Sequence, residues 1–148
     1  MKLPGDLPML EADASQLKTC FLNILTNAVQ AMPKGGQIAV SASLTASNGM
    51  PGRLQFRFAD TGPGIPVEDR ERIFAPYFST KATGFGLGLA ITRKIVEDHG
   101  GRIFATEGKK RGTVMVVELP LNGQIRRPEA SAGSQKAVTS PTKQPTAA

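Results

Sequence analysis

Residues 16–32 carry the pattern that most constrains the fold. Apolar side chains recur there at intervals of three and four residues, as on the buried face of an amphipathic α-helix. They are Leu17, Cys20, Phe21, Ile24, Leu25, Ala28, Val29 and Met32. Asp13 or Ser15 is a suitable N-cap, and the sequence Pro-Lys-Gly-Gly ends the pattern. We therefore expect a helix over about residues 14–32 that buries one face, including the thiol of Cys20.

The opposite face of this helix carries amides and hydroxyls in place of charges. Its members are Gln16, Thr19, Asn23, Thr26, Asn27 and Gln30. A solvated helix face usually carries Glu, Lys and Arg, whereas Asn and Thr are poor helix formers. The stripe therefore indicates a surface that faces a polar ligand, although a solvated polar face is the plainer interpretation of the Asn23 and Asn27 pair alone.

Alternating apolar and polar residues predict a sheet. Residues 37–47 and 54–59 alternate on either side of an Asn-Gly-Met-Pro-Gly turn, which predicts an antiparallel hairpin over residues 37–60. Residues 102–107 and 113–119 predict two further strands joined by a basic turn. The chain thus contains helices and strands that each have one apolar face. Packing the helices in a layer on the sheet buries the apolar faces of both.

A carboxylate stands where the hairpin's second strand ends. Asp60 is followed by Thr-Gly-Pro-Gly, and glycine lets the backbone approach a ligand closely. Such a carboxylate can accept a hydrogen bond from an exocyclic amine such as that of adenine, but an ordinary Asx turn has the same sequence. Pro66 and the acidic residues after it predict a short helix over residues 66–72.

A second glycine-rich stretch, residues 84–88, leads into a helix that runs to about His99. Backbone N–H groups at such a start can bind anionic oxygens, although a tight packing contact also needs glycine. The spacing matches neither the P-loop nor the Rossmann pattern. A nucleotide triphosphate also needs a divalent cation, and the amide oxygen of Asn27 is a suitable ligand for Mg²⁺.

Together these sequences resemble the ATP-binding domain of sensor histidine kinases, in the superfamily shared with gyrase, the heat-shock ATPase chaperone and the mismatch-repair ATPases. The matching segments are Asn23 to Ala31 (N box), Asp60 to Gly64 (G1 box), Ile73 to Phe78 (F box), Gly84 to Ala90 (G2 box), His99 to Gly101 and Arg111 to Thr113. The likeness is greatest to the nitrogen-regulation type. It covers roughly residues 5–121.

The resemblance implies an α+β fold, the Bergerat ATP-binding fold. This is a two-layer α/β sandwich whose mixed, largely antiparallel sheet has helices on one face. The ATP-binding domain would span residues 1–121, with helices 14–32 and 86–99 in one layer and a short ATP lid at 74–86. Residues 122–148 are rich in Ser, Thr, Pro and Ala, which predicts a disordered tail.

The resemblance also implies residue roles, with ATP and Mg²⁺ as cofactors. Asp60 would accept the adenine amine, Asn27 would bind Mg²⁺, Asn23 would support the metal and phosphates, and Lys81 would reach the terminal phosphate. The catalytic residues would thus be Asn23, Asn27 and Lys81. The nucleotide-binding set would be Asn27, Asp60, Gly62, Gly64, Ile65, Phe74, Phe78, Lys81, Gly84, Phe85, Gly86, Leu87, Gly88 and Thr113.

The implied activity is transfer of the ATP γ-phosphoryl group to a histidine. The acceptor would lie on a dimerisation segment absent from this chain, within a homodimeric parent kinase that signals to a response regulator receiver domain. His99 itself is interpreted as a helix-terminal residue. Hydrolytic members of the superfamily have Glu where this chain has Asn23, and an amide cannot take a proton. The alternatives are a non-catalytic nucleotide-binding or scaffolding module and a related anti-sigma-type protein kinase.

Charge and hydropathy argue against other functions. The net charge of +6 invites nucleic acid binding, but the tail supplies half of it and the chain has one Tyr and no Trp to stack on bases. No apolar run reaches the length of a membrane span, and no secretion signal is visible. We therefore expect no nucleic acid partner, no membrane contact from this chain, and a cytoplasmic location, whether or not the parent kinase is membrane-anchored.

Overall fold

The computed structural model describes residues 10–47, 50–78, 86–109 and 111–121. These residues form two α-helices, four β-strands and two short 3₁₀ turns. In chain order they are α1 (Ala14–Ala31), β1 (Ile38–Ser47), β2 (Met50–Asp60), the 3₁₀ turns Val67–Asp69 and Arg72–Phe74, α2 (Gly88–Asp98), β3 (Arg102–Glu107) and β4 (Thr113–Pro120). The two long predicted helices, the hairpin and the second strand pair are confirmed. Most boundaries differ by one or two residues, but β2 begins at Met50, within the predicted turn and four residues before the predicted strand.

The four strands form one sheet in the order β1-β2-β4-β3. Each of the three pairings among the described strands is antiparallel. Because β2 and β4 are neighbours, the end of β2 at Asp60 lies beside the start of β4 at Thr113. This places the carboxylate predicted to bind a ligand next to a strand that is more than fifty residues away in sequence.

The core lies between the two helices and one face of the sheet, as the two-layer prediction requires. Inward residues of the central strands, such as Phe58 and Val117, pack with Ile24 of α1 and Val96 of α2. Cys20 is fully buried in this layer, and burial raises the pKa of its thiol to about 11. The thiol is therefore protonated at neutral pH, as expected of a structural cysteine.

The ends of the two helices are tied together. Asp13 is the N-cap of α1, and its Oδ1 accepts from the N–H groups of Ser15 and Gln16 at 2.9 and 3.0 Å. His99 ends α2 and is 2% exposed. Its Nε2 accepts from the backbone N–H of Asp13 at 3.0 Å, and its Nδ1 lies 2.8 Å from the carbonyl oxygen of Ile95. The only histidine of the chain is thus a buried link between helices, consistent with the helix-terminal role assigned to it.

The segment after Asp60 differs from the prediction. The short helix expected over residues 66–72 is replaced by the two 3₁₀ turns, neither of which has a side-chain cap. So short a segment forms too few hydrogen bonds to offset the unfavourable nucleation of an α-helix. Three predicted site residues, Lys81, Gly84 and Phe85, lie outside the described residues, as do the predicted tail and the segment before Leu10. Neither described helix is long and apolar enough to cross a membrane.

Candidate functional site

A cleft of about 750 Å³ opens between the helical layer and the end of the sheet where β2 stops and β4 starts. This volume is within the range of small-molecule sites. Its floor is Phe58, Asp60, Thr113 and Met115, and its first wall is Ile24, Asn27, Ala28, Gln30, Ala31 and Pro33. Pro63, Gly64, Ile65, Pro66, Asp69, Ile73 and Phe78 form a second wall, and Gly86, Leu87, Gly88 and Leu89 a third.

Asp60 is fixed at the floor of this cleft by the backbone of two different loops. It is 9% exposed, and its Oδ1 accepts from the N–H of Gly62 at 2.9 Å and from the N–H of Thr113 at 3.1 Å. Among the described residues no hydrogen bond involves Oδ2. The arrangement therefore orients a carboxylate and leaves one oxygen as an acceptor for a ligand in an otherwise apolar cleft.

Close backbone packing around Asp60 depends on Gly112, which the residue-level prediction did not include. Gly112 has φ +96°, and a Cβ on it would lie 2.0 Å from the carbonyl oxygen of Asp60. A Cβ on Gly64, at φ +85°, would lie 3.3 Å from the carbonyl oxygen of Gly112. Two glycine turns thus meet around the carboxylate. The sequence signal for Gly112 was its place between Arg111 and Thr113 in the final box.

The polar stripe of α1 is divided between the cleft and the neighbouring helix. Asn27 and Gln30 line the cleft. Asn23 turns instead toward α2, where its Nδ2 donates to the carbonyl oxygen of Gly88 at 3.2 Å and to the hydroxyl of Thr92 at 3.3 Å. Asn23 therefore positions the start of α2, one helical turn away from the cleft-lining Asn27.

The phenylalanines of the predicted F box have different surroundings. Phe74 is 3% exposed and belongs to the core, whereas Phe78 and Ile65 line the cleft. Gly62 is buried beneath the cleft against Asp60, with its N–H on Oδ1. Phe58 and Met115 were absent from the predicted site because alternation assigns them only to a buried sheet face.

The start of α2 is joined to the second wall by a backbone hydrogen bond. The N–H of Tyr77 donates to the carbonyl oxygen of Gly86 at 3.1 Å. A Cβ on Gly86, at φ +64°, would lie 2.7 Å from the carbonyl oxygen of Phe78, so this contact requires glycine. Gly86, Leu87 and Gly88 all line the cleft, as predicted for a glycine-rich helix start facing a ligand.

The carboxylates of the cleft are both engaged. Oδ1 of Asp60 accepts hydrogen bonds from two backbone N–H groups, and Asp69 pairs with Arg72 at 3.0 Å. In the described part of the chain no group of three or more His, Cys, Asp or Glu side chains could hold a metal ion. A cation at this site would need a ligand's own oxygens beside an amide such as that of Asn27.

Comparison with known proteins identifies the family. The model of the histidine kinase-, DNA gyrase B- and HSP90-like ATPases matches residues 12–123. This chain belongs to that ATPase family. The match contains the whole described fold from Ala12 onward, including every element that lines the cleft. Membership explains why the Asp60 turn, the two glycine stretches and the amide-bearing helix occur together.

The most informative relatives of this ATPase-family chain are sensor kinases. It is 43% identical over 115 residues to the sensor histidine kinase ZraS of Klebsiella oxytoca, covering 78% of this chain and 24% of that protein. It is 39% identical over 113 residues to sporulation kinase C of Bacillus subtilis, covering 76% of this chain and 25% of that one. The chain thus spans about a quarter of the length of these relatives.

Solved structures of kinases share the fold. The nucleotide-free catalytic domain of histidine kinase ThkA superposes with a TM-score of 0.70 at 34% identity, covering 81% of this chain and 76% of that domain. Full-length ShkA in complex with AMPPNP superposes with a TM-score of 0.68 at 31% identity, covering 83% of this chain and 25% of that one. The α+β two-layer fold predicted from the sequence is therefore confirmed.

Proposed function

We propose that this chain is the ATP-binding catalytic domain of a two-component sensor histidine kinase. The observation that carries the proposal is the carboxylate of Asp60, held on the cleft floor by two backbone N–H groups with its second oxygen available. A fixed acceptor in a cleft also lined by the apolar side chains of Phe58 and Met115 suits the amino group and flat ring of adenine. The AMPPNP complex of the related ShkA supports an adenine nucleotide as the ligand.

The residues around the cleft fit the remainder of ATP. Gly86 and Gly88 bring backbone into the cleft at the start of α2, where helix N–H groups favour phosphate oxygens. Asn27 would contribute an amide oxygen to Mg²⁺, with phosphate oxygens and water as the other ligands. When bound, the ion neutralises phosphate charge. Lys81, Gly84 and Phe85 are proposed from the family resemblance to act on the phosphates from the adjoining segment.

The cleft favours phosphoryl transfer to an external acceptor over ATP hydrolysis. Asn23 cannot accept a proton as a carboxylate would, and its Nδ2 already donates hydrogen bonds to Gly88 and Thr92 of α2. The two carboxylates of the cleft have other roles, since Asp60 is assigned to the adenine amine and Asp69 pairs with Arg72. The chain's contribution would be positioning and electrostatic stabilisation of ATP. The acceptor would be a histidine on the dimerisation segment of the parent kinase, and a response regulator receiver domain would be the next partner.

The test compares adenine recognition in Asp60→Asn and in Asp98→Asn, a matched change at the far end of α2. An Asn at position 60 can keep both backbone hydrogen bonds through Oδ1, but it presents an amino group to adenine in place of an acceptor. We expect the affinity for Mg·ATP, measured by calorimetry, to fall at least about tenfold with little change in melting temperature. Asp98→Asn should bind as the unsubstituted chain does.

Phosphoryl transfer is tested separately. Radiolabelled ATP would be supplied to this chain together with a dimerisation segment that carries the acceptor histidine. Labelling of that segment would support the kinase proposal. Binding of ATP without labelling would favour a nucleotide-binding or scaffolding module, and labelling of a serine would favour the anti-sigma-type kinase.

A further inference from the structure

Two walls of the cleft are separate in sequence and must be held at a fixed distance. One is the segment 69–78, from which Asp69, Ile73 and Phe78 line the cleft. The other is the start of α2 at residues 86–89. The segment 69–78 contains only short 3₁₀ turns without side-chain caps, so its own hydrogen bonds fix it weakly.

Arg93 of α2 makes three contacts, two of which reach across to this segment. Its Nη1 donates to Oε2 of Glu71 at 3.1 Å, and its Nε donates to Oε1 of Glu97 at 3.0 Å. The guanidinium carbon lies 5.5 Å from the centroid of the Phe74 ring. Glu97, one helical turn further along α2, orients the guanidinium, while Glu71 and Phe74 belong to the other wall. Arg93 itself is not among the residues that line the cleft.

The position of Arg93 along α2 connects its contacts to the cleft. Leu89, which lines the cleft, lies one helical turn before Arg93 on the same side of the helix. A backbone hydrogen bond from Tyr77 to Gly86 joins the same two walls nearer the cleft. Tyr77 has φ +64°, a strained conformation for a residue with a side chain. The strain at Tyr77 therefore weakens this backbone hydrogen bond as a link between the walls. The Arg93 contacts provide a second link between the same two walls.

We propose that Arg93 is a positioning residue that sets the distance between these two walls and thereby the affinity for nucleotide, without touching the nucleotide. This inference rests on the proposed function. The Glu71 side chain is 79% exposed, so the ion pair alone contributes little. Its effect comes from the combination with Glu97 and with the buried Phe74 ring. Without Arg93, the segment 69–78 can sample other distances from α2. Nucleotide binding must then restore the original distance, and this ordering lowers the affinity.

The chain offers a matched control. Arg102 also pairs with a glutamate and also lies over a phenylalanine ring, with its Nε 2.6 Å from Oε2 of Glu118 and its guanidinium carbon 5.3 Å from the Phe104 centroid. These residues lie on the sheet face that points away from the helices and the cleft. Arg93→Ala and Arg102→Ala therefore remove the same kinds of contact, but only the first removes a tie between cleft walls.

The experiment measures the dissociation constant of Mg·ATP and the melting temperature for both variants. We expect Arg93→Ala to weaken binding by about threefold to tenfold, and Arg102→Ala to leave binding within about twofold although it destabilises the fold. The exchanged pair Arg93→Glu with Glu71→Arg should recover part of the affinity that each single change loses, which a general loss of stability would not produce.

The possible results separate this inference from the proposed function. If the unsubstituted chain binds ATP and Arg93→Ala binds equally well, the positioning role is wrong and the proposed function stands. Equal weakening by Arg93→Ala and Arg102→Ala would also overturn the positioning role, because stability alone would then explain the loss. If the unsubstituted chain does not bind ATP, the proposed function fails and this inference fails with it.

Discussion

At the scale of single residues, the site depends on backbone atoms that approach closer than any side chain would allow. The carboxylate of Asp60 accepts from Gly62 and Thr113, and the Thr113 N–H reaches it because Gly112 passes directly over the Asp60 carbonyl. The sequence resemblance predicted Asp60, Gly62 and Thr113 as one site. It did not assign a role to Gly112, because the need for a missing Cβ appears only when two distant turns are placed together.

Replacement of Gly112 by alanine should therefore disrupt both stability and nucleotide binding. Gly112→Ala combines a positive φ with a methyl group 2.0 Å from the Asp60 carbonyl oxygen, so the β3–β4 turn must move. We expect it to lower the free energy of unfolding by about 3 kcal/mol or more and to reduce ATP affinity, because Thr113 moves with the turn. Denaturant unfolding and calorimetry would measure the two effects.

Gly35 provides the control for that substitution. It has φ +91°, but a Cβ there would meet nothing within 4 Å. Gly35→Ala should therefore cost only the backbone term, about 1–2 kcal/mol, and should leave ATP affinity unchanged. Equal destabilisation by the two substitutions would show that the turn around Asp60 relaxes easily and that its close packing does not fix the carboxylate.

At the scale of elements, β4 connects the cleft to the rest of the sheet. Its residues are buried on both faces, from Thr113 at the cleft to Leu119 at the other end. On the face away from the helices it carries Glu118, which accepts from Nε of Arg102 at 2.6 Å and from Nε2 of Gln55 at 2.9 Å. One carboxylate therefore links three adjacent strands.

The Glu118 link predicts how stability depends on pH. The hydrogen bond from Arg102 lowers the pKa of Glu118, with a smaller contribution from Gln55, and outweighs the burial that would raise it. A carboxyl whose pKa is lower in the folded state stabilises the fold fully above its ordinary value of 4.5. That stabilisation is lost as the pH falls through the lowered pKa.

Unfolding measured from pH 7 downward would test this expectation. The stability of Glu118→Gln should fall less steeply below pH 4.5 than that of the unsubstituted chain, since the amide does not titrate. Glu107→Gln is the control, because Glu107 is on β3 but its side chain is 79% exposed and lies 3.9 Å from the guanidinium of Arg70. It should follow the unsubstituted chain. Parallel pH curves for all three proteins would show that the Arg102 link does not contribute.

Periodicity predicted which elements form, but not how neighbouring helices share a polar face. The stripe on α1 was expected to face a ligand, and Asn27 and Gln30 do line the cleft. Asn23 lies a turn earlier and is covered by α2, because the two helices pack side by side. Likewise, Pro66 and its acidic neighbours suggested a helix, but the segment is too short and forms 3₁₀ turns. Both differences arise from tertiary packing and chain length, which a local pattern does not contain.

At the scale of the whole molecule, the cleft combines segments from nearly the full length of the matched domain. The resemblance predicted this combination because the boxes occur in a fixed order, whereas spacing alone could not have brought Thr113 to Asp60. The tie from Arg93 to Glu71 and Phe74 was not predictable in this way. Each of these residues has an ordinary local interpretation, and only the folded chain shows that they join two walls of the site.

The domain boundary proposed at residue 121 predicts how truncated chains behave. The family match ends at residue 123, and the last described contact, from the N–H of Leu121 to the carbonyl oxygen of Gly52 at 3.1 Å, closes the end of the sheet. A chain ending at residue 123 should therefore keep its melting temperature and ATP affinity, although it loses half of the net charge of +6. A chain ending at residue 118 should lose about 2–4 kcal/mol, because Leu119 is 1% exposed. If the chain that ends at residue 123 bound ATP more weakly at unchanged stability, part of the tail would instead belong to the site.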